Sequence, residues 1–146
     1  MAMKHQQLKK TIIRIFQNFG LSLTHAKIST EALINAELVG DYRHGLSRLK
    51  MYCGRISKKV INPKPKIKIK KISQSISHID ANNSIGFVAA DLGIKTAIKH
   101  AQKTGIGMVA VKNSGHYGLS GYYAEQAVKK NLIAMIYTNA PPAVAP

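Results

Sequence analysis

The pentapeptide INPKP, Ile61 to Pro65, constrains this chain more than any other stretch. Proline has no backbone N–H and clashes with the preceding helical turn, so no helix runs through Pro63 and Pro65. The residues on either side follow different periods. Upstream, Leu8, Ile12, Ile15, Phe16 and Phe19 recur at helical spacing, and Gly20 offers a stop. Thr24 is placed as the N-cap of a second helix, whose stripe is Ile28, Ala32, Leu33 and Ala36 and which ends near Val39 and Gly40. A third helix is expected from Leu46 to about Val60. Downstream, KIKIK alternates strictly, with Lys66, Lys68 and Lys70 on one face of a strand and Ile67 and Ile69 on the other. The lysine row reads either as a phosphate ladder or, by the commoner use of lysine on sheet edges, as a solvated edge.

After the turn-rich DANNSIG, the pattern predicts a helix over Ala89–Ala101 and a buried strand over GIGMVAV. A helix over Leu119–Lys130 and a strand over LIAMIYT follow. The expected fold class is mixed α/β: an N-terminal helical unit, residues 1–62, then a sheet-containing unit, residues 63–146. A buried strand needs neighbours on its edges, and little chain follows LIAMIYT to supply them. The chain therefore reads as the front part of something longer.

Charge is the loudest compositional fact. Lys and Arg number 22 against 6 Asp and Glu, a net charge of +16. Such a balance favours polyanions. The cations are mostly lysines spread along the chain, however, and Trp is absent, so the stacking and bidentate contacts of nucleic-acid readers are missing. Nucleic acid is therefore disfavoured as a partner. No apolar run approaches the roughly 18 residues of a membrane span, and no secretion signal is read at the N-terminus. With its single cysteine, Cys53, the chain has no internal disulfide, which suits a reducing cytoplasm.

Two clusters carry candidate chemistry. His116 follows a predicted strand and precedes a predicted helix, where ligands of α/β sheets gather, and Gly115, Gly118 and Gly121 allow close approach around it. An imidazole there is suited to move a proton at neutral pH; a turn histidine bonded to backbone is the plain alternative. The second cluster is DYRHGLSRLKMY, in which His44, Arg48 and Tyr52 fall roughly on one helical face. Together they are suited to grip a carboxylate, Arg48 supplying the bidentate fork; a surface helix with ordinary charges is the alternative. His5, His25, His78 and His100 show no ligand spacing, so no metal site is expected.

Read together, NSGHYGLSGYY, TNAPPAVAP and AELVGDYRHGLSRLKMY resemble the motifs of the type 2 malate/L-lactate dehydrogenase family. IDANNSIG and KTGIGMVAVKNS match between them, so the resemblance covers essentially the whole chain. It implies a non-Rossmann NAD(P)-binding fold, usually a homodimer, and hydride transfer between NAD or NADP and a small 2-hydroxy or 2-oxo acid. By the same resemblance His116 is the catalytic acid/base, while His44, Arg48 and Tyr52 bind substrate. Thr138, Asn139 and Ala140 lie against the cofactor. Departures are Arg43 where serine is usual, Glu37 and Val39 where Asp and Arg are usual, and Gly115 where Asn is common. Family members are about twice as long, so the resemblance implies an N-terminal fragment, incomplete in its cofactor domain and inactive alone. A basic non-catalytic fragment that binds polyanions or a complementary C-terminal polypeptide is the alternative.

Overall fold

A computed structural model describes residues 5–139. Helix α1 (His5–Asn18) buries Ile12 and Phe16 one turn apart. Helix α2 (Leu23–Leu38) crosses it and buries Ala26, Ala32, Leu33 and Ala36. A 3-10 turn at Leu46–Arg48 runs directly into α3 (Leu49–Ser57). Three strands follow, β1 (Lys68–Lys71), β2 (Ile76–Ser84) and β3 (Met108–Ser114), with α4 (Gly86–Thr104) between β2 and β3 and α5 (Ser120–Val128) after β3. The sheet order is β1-β2-β3, β1 antiparallel to β2 and β3 parallel to it. Parallel neighbours need a crossover, and α4 supplies it, packing across both strands.

One core ties the helices to the start of α4. Ile12, Phe16, Leu33, Tyr52, Ile56 and Ile61 meet Ile85, Phe87 and Val88. Burying a side chain such as Phe16 contributes on the order of 1.5–3 kcal/mol. The cluster therefore fixes α3 against the N-terminus of α4, the junction at which the candidate site is built.

Several boundaries differ from the sequence expectation. The cap of α2 is Ser22, not Thr24: the Ser22 hydroxyl accepts the His25 amide at 3.2 Å, so the helix starts two residues earlier. The third helix ends at Ser57, before Val60. Lys59 turns left-handed (φ 58°) and the Lys59 and Val60 amides bond back to Ile56 and Arg55, so the stop is local and the prolines come later. DANNSIG is not a plain turn. Asp80 to Ser84 belong to β2, and the left-handed Asn82 and Asn83 are spent on an irregularity in its pairing with β3. Helix α4 starts at Gly86 and reaches Thr104, three residues beyond the expected limit at each end, and the left-handed Gly105 closes it.

Strand β1 has no buried face. Ile69 is as exposed as the lysines, since this edge strand pairs with β2 on one side only. The lysine row is a solvated sheet edge. Strand β3 forms but is mostly exposed rather than buried, because among the described residues no strand covers its second edge. For the same reason LIAMIYT is not a strand here. Its alternation survives in burial, with Ile133, Met135 and Tyr137 exposed and Leu132, Ala134 and Ile136 half-buried, but no described strand pairs with it.

Candidate active site

Arg48 ends the 3-10 turn that leads into helix α3, and Tyr52 and Arg55 follow on α3 at i+4 and i+7 from it. Tyr52 is fully buried, its ring packed on Phe87 with centroids 4.7 Å apart. Burial pushes the phenol pKa well above its ordinary value, so the hydroxyl stays protonated. That hydroxyl lies 2.7 Å from Nδ1 of His116, a residue 64 positions away in the turn from β3 to α5.

The turn is built by close backbone approach. Gly86 abuts the carbonyls of Gly115 and His116 so tightly that a Cβ there would overlap both. Gly118 is left-handed (φ 81°) against the Phe87 ring, where a Cβ would sit 2.8 Å from a ring carbon. From α5, the Tyr123 hydroxyl donates to the Tyr117 carbonyl at 2.7 Å. The imidazole thus leaves a backbone fastened by two helices, with one side of its ring open to solvent.

His44 comes from the loop before α3 and lies parallel to His116, centroids 5.6 Å apart at 4°. Asp41, three residues earlier, accepts His44 Nδ1–H at 2.8 Å, which leaves Nε2 of His44 for another partner. This hydrogen bond holds the Asp41 carboxyl below the usual carboxylate range. Glu37, standing where the family motif has Asp, accepts the Leu46 amide at 2.6 Å and closes the loop. Arg48 donates through Nε to the Arg43 carbonyl at 2.7 Å, which leaves the outer edge of its fork unengaged. The bulk and charge of Arg43 point outward: its side chain is 87% exposed and reaches Asp41 only at 3.9 Å.

These surroundings depress the His116 pKa below its ordinary value, burial first and then the charges of His44, Arg48 and Arg55. The ring is therefore neutral at pH 7. Its Nδ1 also accepts the Gly118 amide at 3.2 Å. An amide only donates, whereas a phenol donates or accepts. With the lone pair on Nδ1, Nε2 carries the proton; with the proton on Nδ1 and given to Tyr52, Nε2 becomes the acceptor. Tyr52 accommodates both forms and Gly118 only the first. Tyr52→Phe is thus expected to lower the His116 pKa further, because the imidazolium loses its only acceptor at Nδ1. An NMR titration of the His116 ring protons measures the shift; an upward shift would show that the hydroxyl mainly stabilises the neutral ring.

Of the expected site residues, His44, Tyr52 and His116 come together, with the Arg48 charge acting on them. Tyr52 is spent on His116 and not open to a ligand. Thr138 and Asn139 are exposed at the end of the described chain, the Thr138 hydroxyl 3.3 Å from the Asn139 carbonyl, and Ala140 lies outside the described residues. Asp41, Arg55 and Gly86 were missed by the sequence reading. Only Asp41 carried a local signal, its i+3 spacing to His44. Among the described residues no three His, Cys, Asp or Glu side chains converge as metal ligands, and no helix is long and apolar enough to cross a membrane.

The profile of the malate/L-lactate dehydrogenase family matches residues 3–146. The chain belongs to this family. It is 38% identical over 146 residues to L-sulfolactate dehydrogenase of Methanocaldococcus jannaschii, covering all of this chain and 42% of that protein. It is 41% identical over 140 residues to malate dehydrogenase of Pyrococcus abyssi, covering 96% and 39%. The solved malate dehydrogenase of Pyrococcus horikoshii superposes with a TM-score of 0.85 at 36% identity, over 89% of this chain and 37% of that one. The chain thus spans about two-fifths of the length of the curated relatives it matches. Further relatives are a ureidoglycolate dehydrogenase of Escherichia coli O157:H7 named for NAD(+), 32% identical over 94% of this chain and 41% of its own, and a (2R)-3-sulfolactate dehydrogenase of Chromohalobacter salexigens named for NADP(+), 34% identical over 87% and 38%.

Proposed function

We propose that this chain carries the substrate-orienting and proton-transfer groups of an NAD(P)-dependent oxidoreductase acting on a small 2-hydroxy or 2-oxo acid. The observation that supports it best is His116, neutral and anchored at Nδ1 by Tyr52, parallel to His44 and under the influence of the Arg48 charge. In this reading residues 1–62 supply Arg48, His44 and Tyr52, and residues 63–146 supply His116 and the cofactor contacts.

Arg48 takes the substrate carboxylate on the outer edge of its guanidinium, which fixes the 2-hydroxyl relative to His116. His44, with Nδ1 donated to Asp41, presents Nε2 to the same hydroxyl. His116 then accepts the hydroxyl proton at Nε2 while Nδ1–H is held by Tyr52. In the reverse direction the imidazolium returns that proton to the carbonyl oxygen. Thr138 and Asn139 fit a nicotinamide in chemistry, an exposed hydroxyl and an exposed amide that no other side chain engages among the described residues. With Ala140 they would hold it, and when bound it supplies the hydride acceptor. The depressed His116 pKa favours oxidation at neutral pH, since the base form then persists below pH 6.5.

The test titrates the purified protein with L-malate, L-lactate and sulfolactate and follows the His116 ring resonances by NMR, since the chain is expected to be inactive alone. At least one acid is expected to bind, and Arg48→Gln is expected to weaken it by about ten- to a hundredfold. No response of the His116 resonances to any of these acids would overturn the proposal.

A further inference from the structure

The sheet has two faces, and α4 covers one of them. It packs on β2 and β3 from the side where Ile79 is fully buried and where Val109 and Val111 come up to Gly93. On that side His100 of α4 also reaches the buried Ser77 hydroxyl at 2.8 Å. Side chains alternate along a strand, so the residues between these point the other way. The register sets them in rows across the sheet: Lys68, Asp80 and Lys112, then Lys70, His78 and Ala110, then Ile76 beside Met108. Of these only Asp80 and Ile76 are half-buried; the rest are exposed. Parallel neighbours such as β2 and β3 are ordinarily covered on both faces.

The open face is amphipathic. Ile76, Met108 and Ala110 make an apolar floor, while Lys68 and Lys70 stand on the β1 margin and Lys112 on the β3 margin. Asp80 is its one carboxylate, already taken by the Asn113 side-chain amide, the Asn82 N–H and, at 3.7 Å, Lys112. Among the described residues no carboxylate pairs with Lys68 or Lys70. The outer strands lie about 10 Å apart, two strand spacings, which is the width of one α-helix with its side chains. A helix laid along β2 would set an apolar stripe on the floor and its flanking side chains against both cationic margins.

Charge selects the occupant. A second copy of this chain would bring +16 against +16. Nucleic acid would need stacking partners, and the rows hold no Phe, Tyr, Trp or Arg. An apolar floor also does nothing for a phosphate backbone, whereas it suits a helix whose apolar stripe is bordered by Asp and Glu. We infer that this open face is a docking surface for an acidic amphipathic helix of another polypeptide. Lys68, Lys70 and Lys112 hold its margins, and Ile76 and Met108 lie beneath it.

The experiment titrates the full chain with a synthetic helical peptide, a leucine stripe bordered by glutamates, and follows backbone amides by NMR. Shifts are expected to gather on β1, His78 and the stretch from Met108 to Lys112, leaving α1 and α3 unmoved. Lys68→Glu with Lys70→Glu is expected to weaken binding by at least about tenfold, because like charges then face each other. Met108→Ser is expected to weaken it by a factor of a few. Lys10→Glu with Lys27→Glu makes the same change in net charge on α1 and α2 and is expected to bind as wild type does. All these side chains are exposed, so their exchange leaves the core intact. Equal losses in the two double variants would reduce the effect to net charge and overturn the inference. So would a polyuridylate oligomer that binds the same amides more tightly than the peptide. A titration that moves none of the open-face amides overturns it as well.

Discussion

In a site completed by a complementary C-terminal polypeptide, His116→Ala is expected to lower oxidation of the substrate by about 10²–10⁴-fold, the usual contribution of a positioned acid/base. The loss should fall on kcat more than on KM, because Arg48 and His44 remain to orient the acid. Two features make a large effect the natural expectation. With its proton on Nδ1 and given to the Tyr52 hydroxyl, the ring has Nε2 as the nitrogen left to accept from substrate. The depressed pKa also keeps the ring in its base form at neutral pH, and removing it leaves water as the acceptor. Steady-state kinetics with melting curves for both proteins measure it. A folded His116→Ala protein with turnover within a factor of a few of wild type would assign the proton to another group.

The second large effect is structural and acts on the same atom. Gly86→Ala would place a methyl inside the contact distance of the Gly115 and His116 carbonyls, which are backbone and part of a turn fastened on both sides. The helix-propensity gain of alanine over glycine is at most about 1 kcal/mol, and is smaller in a first turn. Overpacking of this kind costs about 1–3 kcal/mol, so the overlap wins. The expected result is a melting point lower by several degrees, with the His116 resonances moved even where the fold persists. Gly54→Ala is the control. Gly54 also lies in a helix, but nothing approaches its added Cβ within 4 Å, so alanine there should be neutral or stabilising. Equal effects at the two glycines would remove the argument from close approach.

How far the site was legible depends on what each residue needs. Arg48 and Tyr52 declare a common side by spacing alone, while His44 reaches the site from the loop before α3, and His116 declares its strand-to-helix turn by the glycines around it. Burial is not local, however. Tyr52 reads as a substrate ligand until Phe87 packs over it and His116 claims its hydroxyl. Strand β2 was hidden because two of its buried positions are Ser77 and Ala81, which carry little hydrophobic signal, while Asn82 and Asn83 signal a turn. LIAMIYT fails in the opposite way. Its apolar alternation is strong, but a strand exists only where another backbone meets it, and no sequence period reports a neighbour. Arg55 was passed over because a cation on a helix is ordinary; only the fold brings it to line a recess with His116.

The position of Tyr52 has a further consequence. One side chain is at once a wall of the main hydrophobic cluster and the anchor of His116, so the candidate site has no hinge of its own. Warming that loosens the packing around α3 must release His116 in the same event. Release of His116 and loss of fold then share one midpoint, and no compact form with a freed His116 lies between them.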